Sequence, residues 1–222
     1  MITQGKKKLF LIDSYALIYR AYFAFIKNPR MNSKGFDTSA IYGFLNTLTE
    51  LIREEKPTHI ATVFDLKGPT KRHELYTEYK ANRDAMPEGI SLAIPYIKTL
   101  IDSLNIQQIS LAGYEADDLI GTLSKKAEKE GFTTYMITPD KDFAQLVSDN
   151  IFIYKPGKRG DGPTIMGKKD VCEKYGLKNI NQFIDFLAMM GDSSDNIPGV
   201  AGVGPKTAQR LIEEYGSMIG VY

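Results

Sequence analysis

Four short apolar runs, at residues 8–12, 59–64, 106–110 and 133–138, are each followed within a few residues by an acidic side chain. Runs of this length and composition suit buried strands. Helical periodicity separates them. Ile41, Phe44, Leu45, Leu48, Leu51 and Ile52 recur at helical spacing between about residues 38 and 55. Pro87 opens a helix that runs to about residue 104, with a kink expected at Pro95, and a third helix over residues 115–130 is closed by Gly131. Alternating strand and helix predicts an α/β fold, with a mostly parallel central sheet covered by helices on both faces. After a further run at residues 151–154, a Gly-, Pro- and Lys-rich stretch at 155–163 reads as a loop or loose hairpin, and from Lys168 the chain is mostly helical. The reading is a core of residues 1–165 followed by a smaller helical module of 166–222, cut from something longer.

In an open parallel sheet the carboxyl ends of the strands share one edge, where ligand sites form. Asp13, Asp65, the trio Glu115, Asp117 and Asp118, and the pair Asp140 and Asp142 all follow strands. They are therefore expected to converge although far apart in sequence. Taken singly, each is explained as a helix N-cap or a turn residue. Their recurrence after successive strands, with Asp192 and Asp195 added in Gly-Asp-Ser-Ser-Asp-Asn, argues for more. Converging carboxylates stay ionised together only if cations compensate them. Oxygen-only ligands select Mg²⁺ or Mn²⁺, and the lack of neighbouring His or Cys argues against zinc. Two such ions about 4 Å apart can bracket a phosphodiester during in-line displacement.

Charge and cysteine content bound the alternatives. The 222 residues carry a formal net charge of only +1, so bulk charge does not announce a nucleic-acid partner. The single cysteine, Cys172, rules out an internal disulfide. The apolar run after the basic N-terminus is broken at Asp13, which makes a poor signal peptide, and no apolar stretch approaches the ~20 residues of a membrane span. A cytoplasmic protein with no membrane partner is expected.

Two further stretches bear on substrate. Gly199-Val-Ala-Gly-Val-Gly-Pro-Lys-Thr-Ala misses the P-loop pattern, because Pro205 stands directly before Lys206 and no strand precedes it. It reads as helix, tight glycine turn, helix, with Gly202 and Gly204 letting backbone N–H groups approach a phosphate; a plain connecting turn with Pro at the first helical position fits equally. In the segment 71–83, Lys80 and Arg83 are three apart, as are Tyr76 and Tyr79, which on a helix would place each pair on one face. Cations beside aromatics suit single-stranded nucleic acid, although a mixed-charge helix is more often a solvated face.

Gly113-Tyr-Glu-Ala-Asp-Asp118, Thr138-Pro-Asp-Lys-Asp142 and Gly191-Asp-Ser-Ser-Asp-Asn-Ile-Pro-Gly199, with Val63-Phe-Asp65, Arg72-His-Glu74 and Tyr79-Lys-Ala-Asn-Arg83, resemble the 5′→3′ exonuclease domain of bacterial DNA polymerase I, within the flap endonuclease family. The resemblance runs from about Leu9 to Tyr222. It implies a PIN-like core and a helix–hairpin–helix-type module that grips duplex DNA. It implies one metal on Asp13, Asp65, Glu115, Asp117 and Asp118, some through water, and a second on Asp140, Asp142, Asp192 and Asp195. Lys80 and Arg83 are similar to cations that steady the scissile phosphate, so that catalysis would rest on these two with Asp13, Asp65, Asp117 and Asp140. Tyr79 is similar to a stacking aromatic. Arg72, Tyr79, Lys80, Arg83, Gly202, Gly204, Lys206 and Thr207 would contact DNA, with a monovalent cation on backbone carbonyls of the glycine turn. The implied substrate is DNA with a 5′ flap or free 5′ end, cut in replication and repair by a monomer that is part of a longer polymerase chain. Lys71, Ser14 and Thr77 depart from the common pattern, and none removes a ligand.

Two rivals come from other classes. A DNA-junction-binding module without catalysis would gain nothing from nine carboxylates that repel phosphates. A haloacid-dehalogenase-like phosphatase needs a second Asp two residues after Asp13, where Tyr15 stands.

Overall fold

The computed structural model describes residues 7–157 and 161–222. Residues 158–160 of the expected 155–163 loop, and 1–6 of the basic N-terminus, lie outside the described residues. The six strands are β1 (Lys8–Asp13), β2 (His59–Val63), β3 (Gln107–Ile109), β4 (Thr133–Ile137), β5 (Ile151–Lys155) and β6 (Thr164–Met166). They form one sheet in the order β3-β2-β1-β4-β5-β6, with every pairing parallel except β5–β6. This is the mixed α/β architecture expected from the alternation.

Side-chain alternation along β1 sorts the core into two layers. Phe10 and Ile12 face α1 (Ser14–Ala24), α2 (Ser39–Glu55) and α4 (Glu88–Ser103), packing among Ile18, Phe44, Leu48 and Ile97. Leu11 faces the other way, with Val63 and Met136, toward α5 (Ala116–Lys129). The same layer holds α6 (Lys168–Tyr175), α7 (Gln182–Met190) and α8 (Pro205–Tyr215), through Val171, Phe183, Phe186 and Ile212. The helical part therefore shares a core with the sheet. α4 continues through Pro95, with Ile90, Ala93, Ile97 and Ile101 buried on one face.

Two local expectations need correction. The segment 71–83 is not one helix. α3 covers only Lys71–Leu75; Tyr76 is extended, and Lys80 adopts a left-handed φ of 57°. Lys80 and Arg83 thus share a turn rather than a helix face. The glycine turn also does not follow a helix directly. α7 ends at Met190, and a loop closed by an Asp192–Ile197 bridge intervenes before the turn and α8. Gly191 and Gly199 meet at the base of this loop. Their backbones touch so closely that a Cβ on Gly199 would lie 2.4 Å from the Met190 carbonyl carbon. A short last helix, α9 (Met218–Val221), follows α8.

Candidate active site

Strand order reverses at β1, between β2 and β4, and the acidic residues gather at that switch point. Asp13 ends β1 and caps α1, accepting from the Ala16 amide at 3.2 Å with one oxygen. Its other oxygen accepts from the Thr138 hydroxyl, just past β4, at 2.9 Å. Asp65, after β2, accepts from the Ala116 amide at 2.7 Å, and Glu115 is the N-cap of α5. Asp140 follows β4 and accepts from the Asp142 amide at 2.9 Å. Capping and convergence are therefore the same fact here: the helix starts that stabilise the acids also aim them at a common space.

Asp192 and Asp195 arrive from the helical part, on the bridged loop. That loop is fastened to the turn at 76–83. The Lys80 amide donates to the Asp195 carbonyl at 2.9 Å, Asn82 Nδ2 to the Ser193 carbonyl at 2.8 Å, and Asn196 Nδ2 to the Glu78 carbonyl at 2.7 Å. These contacts place the cations. Lys80 Nζ lies 2.8 Å from Glu115 Oε2, and an Arg83 nitrogen 2.6 Å from Asp195 Oδ1.

Electrostatics divide the acids into two groups. Arg72 makes two hydrogen bonds to Asp118, at 2.7 and 2.8 Å, and holds that carboxyl below its ordinary range. Burial works against Asp192, yet Lys141, at 2.5 Å, and the Ser194 amide keep it below its ordinary range too. Asp117, Asp13 and Asp142 move the other way. Burial, reinforced by Asp13 and Asp140, pushes Asp117 up to about 8 against the pull of Lys80. Burial is also the main reason that Asp13 rises to about 6, and Asp142 to about 6 with Asp140 adding to it. One Asp142 oxygen, Oδ1, is buried with no hydrogen-bond partner. Among the described residues no three acids stand close enough to form a ready-made ion cage. The expected ligand sets are not preassembled, and Lys80, Arg83, Arg72 and Lys141 hold four of their carboxylates.

Comparison with known proteins gives the arrangement a lineage. Residues 8–176 match the family model described as 5′-3′ exonuclease, N-terminal resolvase-like domain, and residues 179–222 match 5′-3′ exonuclease, C-terminal SAM fold. The chain belongs to the 5′-3′ exonuclease family. It is 40% identical over 212 residues to a 5′-3′ exonuclease of Aquifex aeolicus, covering 96% of this chain and 71% of that one. It is 44% identical over 214 residues to DNA polymerase I of Bacillus subtilis, covering 96% of this chain and 24% of that one. The chain thus matches about a quarter of the polymerase's length. The bacteriophage T5 D15 flap endonuclease, solved with DNA and metal ions, shares the fold with a TM-score of 0.76 at 23% identity, over 96% of this chain and 77% of that one.

For a 5′-3′ exonuclease family member, several expected residues sit differently from their reading in sequence. Tyr79, expected to stack on bases, has a ring that is only 5% exposed. Its hydroxyl lies 3.0 Å from Glu115 Oε2 and 2.9 Å from Asp195 Oδ2, and burial together with those two charges drives its pKa upward. Its hydroxyl faces two carboxylates, and little of the residue is left open to stack on a base. Arg72 is committed to Asp118 in the same way. Gly202, Gly204, Lys206 and Thr207 stand apart from the carboxylates, at the start of α8. There Gly202 adopts a φ of 78°, and a Cβ added to either glycine would meet no atom within 4 Å. Sequence reasoning missed Thr138 and Lys141. Lys141 had a legible signal, its place between Asp140 and Asp142; Thr138 had none beyond ending a strand.

Proposed function

We propose that this chain is a structure-specific 5′ nuclease that hydrolyses DNA phosphodiester bonds at 5′ ends and 5′ flap junctions, with residues 1–165 and the 192–195 loop carrying the chemistry and the rest of 166–222 gripping duplex. The reading rests on one observation above all: carboxylates from four strand ends and from the helical part stand near enough to raise one another's pKa, while Asp142 Oδ1 lies buried with no hydrogen bond, 3.8 Å from Lys141 Nζ. An all-oxygen set with a net negative charge fits hard divalent cations such as Mg²⁺ or Mn²⁺. Asp13, Asp65, Glu115, Asp117 and Asp118 would hold one ion, and Asp140, Asp142, Asp192 and Asp195 the second. Two such ions, held there, would supply Lewis acidity and positive charge for an in-line displacement at phosphorus.

The chain's own groups do the rest. Lys80 and Arg83, released from Glu115 and Asp195, donate to the oxygens of the scissile phosphate, where charge builds up in the transition state. Thr138 fixes the Asp13 carboxylate by its hydroxyl hydrogen bond. Tyr79 orients Glu115 and Asp195 from behind. The backbone N–H groups near Gly202 and Gly204, with Lys206 and Thr207, meet the phosphates of the duplex at the positive end of α8. The relatives named DNA polymerase I support a place in replication and repair. The test is incubation with end-labelled flap, nicked and single-stranded DNA, with Mg²⁺ or EDTA. Cleavage of the flap that EDTA abolishes is the expected result; no cleavage of any substrate with either Mg²⁺ or Mn²⁺ would leave a binding module instead.

A further inference from the structure

A groove of about 620 Å³ leaves the carboxylates and runs along α5. Arg72, Glu115 and Asp117 line one end, and Lys125, Lys126 and Lys129 the other. Asp118, Thr122, Lys125 and Lys129 are spaced four, three and four residues apart, so they form a row on one face of the helix. From Lys125 to Lys129 the helix rises by about 6 Å. That length matches about two phosphates of one duplex strand, measured along its axis.

Lys126 and Lys129 are available. All three lysines are exposed, and neither Lys126 nor Lys129 takes part in an ion pair among the described residues. Lys125 bonds the Leu146 carbonyl at 3.0 Å across the groove and lies 3.8 Å from Glu128. The helix dipole favours Lys126 and Lys129 in the last turn of α5. It does not account for a row that continues through Lys125 into the active-site groove.

We propose that Lys125, Lys126 and Lys129 form a second backbone-binding row that holds the duplex part of the substrate beside the cut. The proposal rests on the nuclease reading above. Duplex is favoured over unpaired strand because the groove offers no exposed aromatic face. Its two rings, Phe143 and Tyr79, are 2% and 5% exposed. A strand bound here is held by its phosphates alone, which suits bases already stacked inside a helix.

The test uses the whole chain and fluorescein-labelled DNA in EDTA, read by anisotropy over salt from about 50 to about 200 mM. Three probes are compared: a 5′ flap with about two turns of duplex, the same junction with about three base pairs, and single strand. The K126A/K129A variant should bind the long duplex about tenfold more weakly, with a salt slope reduced by about two. It should match the wild type on the short junction and on single strand, and in Mg²⁺ its loss should fall on KM. K126R/K129R should restore the slope. An unchanged slope on the long duplex, or an equal loss on single strand, overturns the proposal. If instead the wild type neither binds nor cuts the flap, it is the nuclease reading that fails.

Discussion

Asp140 and Asp192 test the division between chemistry and binding. Asp140 stands after β4 beside Asp13, and Asp192 stands on the bridged loop against Lys141. Each brings negative charge to the site proposed to receive phosphates. Asp140→Ala or Asp192→Ala should therefore reduce turnover on a flap by about 10²-fold or more while DNA binding holds or tightens. Rate and affinity measured on the same oligonucleotide decide it, and wild-type turnover in either variant would remove that residue from the site. Asp117 supports a prediction about the metal-free protein. Its carboxyl, like those of Asp13 and Asp142, titrates above its ordinary value of 3.8 in the fold. Such groups favour the fold fully only below their unfolded pKa, and that contribution is lost as pH rises through about 6 to about 8. In EDTA the melting temperature should fall across this window, and Asp117→Asn should flatten the fall. Mg²⁺ should raise it more at the alkaline end than at the acid end. Scanning fluorimetry across the pH series checks this; a melting temperature equally raised by Mg²⁺ at both ends would sink it.

Between elements, the fastening of the 76–83 turn to the 192–197 loop sets where the cations stand. Asn196 has a φ of 57°, a conformation that asparagine tolerates better than most residues, and its side chain reaches the Glu78 carbonyl. Asn196→Ala removes the contact and strains the backbone. Because it misplaces Asp195 and Lys80 together, it should lower the saturated rate by about 10- to 100-fold with little change in duplex affinity. Single-turnover rates separate that from weak binding, and an affinity loss at an unchanged rate would show that the two loops serve DNA binding instead. The same pair of loops marks how far the sequence is legible. β1, β2 and β4 are readable because each is an apolar run ended by an acid, and α5 because its acidic N-terminus and Gly131 bound it. The segment 71–83 misleads because residue spacing alone cannot reveal a left-handed turn at Lys80 held by a loop more than a hundred residues away. Tyr79 misleads for the same reason: its burial depends on His73, Glu115 and Asp195, which only the tertiary structure brings together. Seven of the nine carboxylates are expected to converge because strand ends in a parallel sheet share an edge, whereas Asp192 and Asp195 come from the loop after α7. That Arg72 and Lys141 neutralise two of the nine is not legible in the sequence.

For the whole molecule, the carboxylates and the glycine turn lie on different elements, yet α6, α7 and α8 share one core with the sheet. On the proposed reading, a substrate that satisfies both presents duplex to the turn and a free strand to the carboxylates. Plain single strand forgoes the phosphate contacts of the turn. Closed duplex can reach the turn, but bringing a phosphate among the carboxylates then requires unpairing, which costs a few kcal/mol. Duplex with a 5′ flap or frayed 5′ end meets both conditions without that cost, so it should be cut fastest, near the junction, leaving a 5′-phosphate. Lys206→Ala should narrow the advantage over single strand, because it removes a duplex contact and should lower the salt slope of binding by about one. The measurement is the initial rate on matched flap, frayed, single-stranded and closed circular DNA at one Mg²⁺ concentration. Equal rates on the closed circle and the flap would show that no free end is needed, and the geometry proposed for the two sites would then be wrong.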